Sequence, residues 1–252
     1  MLRDEILKVA ESPMVQIATI AERMPGALKL CYGESDLPTP AFIIDALSDA
    51  ARNGHTFYTH TAGSTELRQA IAAKIRELHD VEYEPSEIMA TTGATMAIYA
   101  SIRALIGPGD NAVIVSPAYA IYSNATIMCG GEPRAVPLSL SGPRFVLDLD
   151  RLRAAIDRHT RLLIVNSPSN PTGWVITTDE QRALVEMADA HGLVVLADEV
   201  YERLIFGSEP VAPSFARLDG PRDRLIVTNS FSKTYNMTGW RLGWAQTSER
   251  TI

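Results

Sequence analysis

Four short apolar runs decide what this chain can fold into: Ala112–Ser116, Leu162–Asn166, Leu193–Asp198 and Leu225–Asn229. Each is continuous rather than alternating. A strand with one face in water alternates apolar and polar side chains, whereas a strand covered on both faces reads as an unbroken apolar run. Helical stretches fall between the runs, for example Thr178–Ala190. Strand and helix in repeated alternation is the pattern of a parallel sheet built by right-handed crossovers, with helices on both faces. The sequence therefore predicts an α/β fold of three layers around a mostly parallel sheet.

The remaining elements follow from local signals. Pro40 to Asn53 reads as a helix closed by Gly54. Ser64 caps a helix through Leu78, with Glu66 early and Lys74 and Arg76 late, as the helix dipole prefers. A short strand is expected over Glu87–Thr92, a helix over Ala94–Leu105 and a last strand over Arg241–Thr247. Residues 1–30 read as helical turns and an extended arm, which the turn-rich stretch 31–40 ends. Neither repeats nor low-complexity tracts interrupt the chain.

In open parallel sheets, ligands sit outside the carboxyl ends of the strands. Here those ends carry Gly93-Ala94-Thr95, Ser116-Pro117-Ala118-Tyr119, Asn166 to Gly173, Asp198-Glu199-Val200-Tyr201 and Ser230-Phe231-Ser232-Lys233. They offer small residues, an aromatic ring, an amide, a carboxylate, a phenol and a lysine. A sheet needs none of these for packing, and all would converge on one crevice. A lone lysine is most often a solvated surface group. Lys233, however, follows an apolar strand, sits in Ser-x-Ser-Lys and is close to Arg241. Hydroxyl donors and an arginine fork match phosphate oxygens. A neighbouring cation also lowers a lysine pKa and frees the amine as a nucleophile. Asp198 ends a buried run, and a buried carboxylate needs a partner. That partner is either a salt bridge or helix cap, or the protonated nitrogen of a pyridine ring, whose cationic form is an electron sink.

Ser230-Phe-Ser-Lys-Thr-Tyr-Asn-Met-Thr-Gly-Trp-Arg-Leu-Gly243 resembles the lysine signature of the class I/II aminotransferases, the fold type I enzymes dependent on pyridoxal phosphate (PLP). Asn170-Pro-Thr-Gly173 and Asp198-Glu-Val-Tyr201 are similar to two other core motifs of that family. Tyr-x-x-x-x-Gly-x-x-x-Leu-Arg over Tyr58–Arg68 and Leu-x-x-Gly-Glu-x-Asp over 30–36 match as well. Five motifs in the family's order, over essentially the whole chain, make the resemblance specific.

The resemblance implies a PLP-transferase large domain over 41–252, with an N-terminal arm and part of a small domain over 1–40. It implies that Lys233 holds the cofactor as a Schiff base and then shuttles a proton. Asp198 would pair with the pyridine nitrogen, and Tyr201 and Asn170 with the phenolic oxygen. Tyr119 would stack on the ring, with Tyr122 the other tyrosine available for that role. Ser230, Ser232 and Arg241 would bind phosphate with the amides of Ala94 and Thr95, at a helix start where N–H groups favour an anion. Tyr58 would reach the phosphate of a neighbouring subunit in a homodimer. Gly33 and Asn170 would face the substrate. Cis peptide bonds are implied at Ser116–Pro117 and Asn170–Pro171.

The implied reaction is amino transfer between an amino acid and a 2-oxo acid. A β-lyase or synthase on the same fold, a non-catalytic binding module and an inactive remnant are the other readings. Family members are longer than 252 residues. The expectation is that a C-terminal small-domain segment is absent, and with it the arginine that clamps the substrate carboxylate. Composition excludes other classes. The net charge of -7 leaves no basic stripe for nucleic acid. No stretch approaches the ~20 apolar residues of a membrane span. Scattered histidines and the distant pair Cys31 and Cys129 argue against a metal site and for free thiols in a reducing cytoplasm.

Overall fold

The computed structural model describes residues 2–9, 13–28, 30–31, 33–220 and 222–252. Its helices are α1 (Asp4–Leu7), α2 (Pro13–Glu22), α3 (Ala41–Arg52), α4 (Thr65–His79), α5 (Gly93–Leu105), α6 (Ile121–Met128), α7 (Leu149–Ala154) and α8 (Thr178–His191). Its strands are β1 (Ile88–Thr91), β2 (Asn111–Ser116), β3 (Glu132–Pro137), β4 (Ser139–Ser141), β5 (Arg144–Val146), β6 (Thr160–Asn166), β7 (Val194–Asp198), β8 (Leu225–Ser230) and β9 (Gly243–Gln246).

Among the described residues, seven strands form one sheet in the order β1-β9-β8-β7-β6-β2-β3. β9 pairs antiparallel with both β1 and β8, so it alone runs against the other six. The four apolar runs are the four central strands β8-β7-β6-β2, all parallel. Their continuous apolarity has the predicted cause. Val113, Val115, Leu163, Val165, Val195 and Val227 face one core with Leu184 and Met187 of α8. The intervening Ala112, Ile114, Leu162, Ile164, Leu196 and Ile226 face a second core with Ile98 and Ile102 of α5 and Tyr122 of α6. Ile71 and Ile75 of α4 pack with Ile88 and Trp244 in a third cluster at the β1–β9 end. The expected three layers are therefore present.

Local chemistry sets the ends. Ser64 Oγ accepts from Leu67 N at 3.2 Å to start α4. Thr177 and Glu180 form a reciprocal capping box on α8, and Gly192 ends it at φ +69°. The last strand is shorter than the expected Arg241–Thr247, because Arg241 is left-handed (φ +54°) and cannot extend a strand. The expected Glu87–Thr92 strand loses Glu87 to a tight turn over Pro85–Glu87. β3 forms although its Pro133 and Pro137 speak against a strand; it lies at the sheet edge, where a missing N–H is tolerated. Ser116–Pro117 and Asn170–Pro171 are cis as expected, and Ser167–Pro168 is cis as well.

Glu199, just past β7, is 3% exposed. Its carboxyl accepts from Ser214 Oγ at 2.6 Å and Phe215 N at 2.7 Å, yet burial pushes its pKa up to about 8. The folded chain thus keeps a proton that the unfolded chain releases near 4.5. Stability is then full below that value and falls as pH rises towards 8. Asp198 acts in the same direction, but only up to about 6. In the ligand-free chain the melting temperature should fall from pH 4.5 to 8, whereas in Glu199→Gln the fall should end near pH 6. An equal slope between pH 6 and 8 in both proteins would contradict this.

Candidate active site

The carboxyl ends of β1, β2, β6, β7 and β8 meet around a cavity of about 350 Å³. Its lining includes Ala94, Thr95, Tyr119, Asn170, Asp198, Tyr201, Ser230, Ser232, Lys233 and Arg241. Gly33 and Glu34 reach it from the N-terminal segment, and Met14 and Val15 from α2. Of the residues anticipated from sequence, only Tyr58 does not line the cavity. Its side chain is fully exposed on the stretch before α4.

Asp198 forms the floor and is 3% exposed. Tyr122 Oη donates to its Oδ2 at 2.6 Å and Val200 N–H to its Oδ1 at 3.2 Å. Burial outweighs both bonds and raises its pKa to about 6. Among the described residues no cation pairs with this carboxylate, so neither the salt bridge nor the helix cap anticipated for it is found. Tyr122 is the donor that orients Asp198, its own pKa raised by burial and by that carboxylate. Nothing in the sequence position of Tyr122, three residues after Tyr119 and in the first turn of α6, points to this role. Tyr119 stands nearer the mouth, 37% exposed, its ring edge-on to Tyr122 at 6.2 Å between centroids.

The wall beside Asp198 is a chain of amide bonds. Asn166 Nδ2 donates to Asp198 O at 2.9 Å, and Asn166 Oδ1 accepts from Asn170 N at 2.8 Å. Asn170 Nδ2 then reaches Tyr201 Oη at 3.4 Å. Lys233 Nζ lies 5.7 Å from the Tyr201 ring centroid and donates to Gly33 O. Burial lowers the Lys233 pKa; Glu34 acts against that shift and Arg241 adds to it. A lowered pKa enlarges the neutral, nucleophilic fraction of the amine.

Opposite the floor is a corner built for an anion. Ser230 Oγ donates to Ser232 Oγ at 2.8 Å. Thr92, which precedes α5, caps none of its amides with a side-chain bond, so the first N–H groups of the helix remain available. The Arg241 guanidinium donates to Thr238 O at 2.9 Å and has no carboxylate partner among the described residues. It lies so close to α5 that a Cβ on Gly93 would stand 2.5 Å from its Nη2. Gly93, at φ +73°, is glycine both for its backbone conformation and for this approach. A Cβ on Gly243 would likewise meet Ala94 N at 2.6 Å.

An amine of lowered pKa, a buried carboxylate without a cation partner among the described residues, a phenol–amide pair and an arginine beside an uncapped helix start gather on the carboxyl edge of a mostly parallel sheet, an arrangement that suits an anionic cofactor with a basic ring. The family profile "Aminotransferase class I and II" matches residues 25–252, and the chain belongs to that family. It is 40% identical over 237 residues to the "Probable N-succinyldiaminopimelate aminotransferase DapC" of Mycobacterium tuberculosis, covering 94% of this chain and 59% of that one. It is 37% identical over 244 residues to the "Aspartate aminotransferase" of Pyrococcus abyssi, covering 96% and 62% respectively. The solved structure of N-succinyldiaminopimelate aminotransferase from Mycobacterium tuberculosis superposes with a TM-score of 0.94 at 38% identity, over 100% of this chain and 65% of that one. The chain therefore spans about three fifths of the length of the relatives it matches.

Proposed function

We propose that this chain carries the cofactor site of an aminotransferase that moves an amino group between an amino acid and a 2-oxo acid with PLP. The observation that carries the reading is Asp198: a carboxylate buried in the cavity with no cation paired to it among the described residues. A protonated ring nitrogen supplies that missing charge. The other residues fit the rest of the cofactor. Lys233 would hold its carbonyl carbon, and Tyr201 and Asn170 its phenolic oxygen. Tyr119 would cover the ring. Ser230, Ser232, Arg241 and the amides of Ala94 and Thr95 would take the phosphate. Gly33 and Asn170 would meet the substrate.

When bound, PLP supplies an electrophilic carbonyl and a ring that withdraws electrons from a substrate carbon. The protein does the rest. Lys233 Nζ, with its pKa lowered by burial, would hold the cofactor's carbonyl carbon and would be the base that takes up and returns the proton of the substrate carbon. Asp198 would keep the ring nitrogen protonated, with Tyr122 Oη donating to Asp198 Oδ2 to hold it in line.

The reading extends to assembly and place. We take residues 1–40 as an arm with part of a small domain and 41–252 as the cofactor-binding domain. Tyr58, exposed beyond its own cavity, is suited to reach the phosphate site of a second copy in a homodimer. Free Cys31 and Cys129 suit a reducing cytoplasm. No described helix is long and apolar enough to cross a membrane.

Purified protein mixed with PLP should develop an absorbance band distinct from that of the free cofactor. Adding single amino acids should discharge the band and release the matching 2-oxo acid in stoichiometric amount. A protein that forms no band, or one that releases ammonia instead, would overturn the proposal.

A further inference from the structure

The turn that bears Asp198 and Tyr201 has a second, hidden side. Asp198 and Tyr201 line the cavity. Glu199 and Glu202, between and after them, line no part of it and are each 3% exposed. Glu202 takes an ion pair from Lys74 and a hydrogen bond from His79 Nε2 at 3.0 Å, both on α4. Lys74 also lies over the Trp244 indole of β9, 4.7 Å from its centroid. The turn closes on itself through Glu202 N to Glu199 O at 2.9 Å, and Glu202 O accepts from Ala212 N at 2.8 Å.

These charges touch neither the cavity nor any group that acts in it. A buried ion pair is a weak source of stability, because desolvation offsets most of the attraction. What it does supply is direction: a carboxylate held from two sides has one favourable place. Glu202 is the residue next to Tyr201, so fixing it fixes the backbone from which the phenol projects. We propose that Lys74 and Glu202 are positioning residues that hold Tyr201 Oη beside Asn170 Nδ2, at the point where the two meet the cofactor's phenolic oxygen. This rests on the aminotransferase reading.

The test is the pH midpoint of the absorbance change of bound PLP, measured with cofactor affinity and melting temperature. An oxygen that loses a hydrogen-bond donor keeps its proton to higher pH. The double variant Lys74→Met/Glu202→Gln removes both charges, and the amide oxygen at 202 can still accept from His79 Nε2. It should bind cofactor with the midpoint raised by about half a unit or more. Lys74→Arg should restore the wild-type value. In a Tyr201→Phe background the double variant should add no further shift, because the effect travels through that hydroxyl. Should the double variant not fold, Glu202→Gln alone is read in the same way. An unchanged midpoint, whatever the melting temperature does, overturns the inference, as does a shift that adds in full to that of Tyr201→Phe. A wild-type chain that takes up no PLP overturns the aminotransferase reading itself, and this inference with it.

Discussion

Lys233→Ala should abolish covalent capture of PLP and reduce amino transfer by about 10⁴-fold or more. Two functions are lost at once. In the proposed function the amine is the nucleophile that holds the cofactor. It would also be the proton carrier, and positioned acid–base groups alone contribute about 10²–10⁴-fold. The surroundings of Lys233 suit both: it follows the buried end of β8, burial lowers its pKa, and among the described residues its Nζ donates to Gly33 O. Borohydride reduction of the wild-type protein with PLP should fix the label on the peptide that contains Lys233. Mass spectrometry finding it on Lys74 would remove Lys233 from the mechanism. The anion corner does not depend on the lysine, so the variant should still bind the cofactor reversibly.

Asp198→Ala is expected to weaken PLP binding by roughly two to three and a half orders of magnitude. Removing one partner of a buried charge pair costs about 3–5 kcal/mol, and each 1.4 kcal/mol is about tenfold. Among the described residues the only other carboxylate lining the cavity is Glu34, which stands at the lysine. Asp198→Asn separates charge from shape: it should retain more of the affinity and lose turnover. Equal affinity in wild type and Asp198→Ala, by titration of absorbance, would mean that the ring nitrogen lies elsewhere.

Much of the site was legible because its residues sit at strand ends. The apolar runs ending at Asn166, Asp198 and Asn229 mark the carboxyl edge, and parallel topology puts those ends together. Lys233, Asp198, Tyr201, Asn170 and Arg241 could therefore be placed in one crevice before any coordinates. Tyr122 could not. Its role comes from the angle at which α6 packs on the sheet, and a tyrosine on a helix face looks like core until that angle is known. Nor could Lys74 and Glu202, more than a hundred positions apart, be read as a pair. Lys74 read as a favourable charge near a helix end, an ordinary solvated role, and only the packing of α4 against the Asp198–Glu202 turn buries it.

The sequence by itself determined the layers, the parallel core and the edge where chemistry gathers, because these follow from periodicity and from the rule that both faces of such a sheet are covered. Tertiary structure decided what is charged and what is aimed. Asp198 holds its proton to about 6 and Glu199 to about 8 because of what surrounds them. Arg241 reaches the anion corner because Gly93 leaves room for it. Solvation and hydrogen bonding depend on neighbours distant in sequence, and only the packed chain brings those neighbours together.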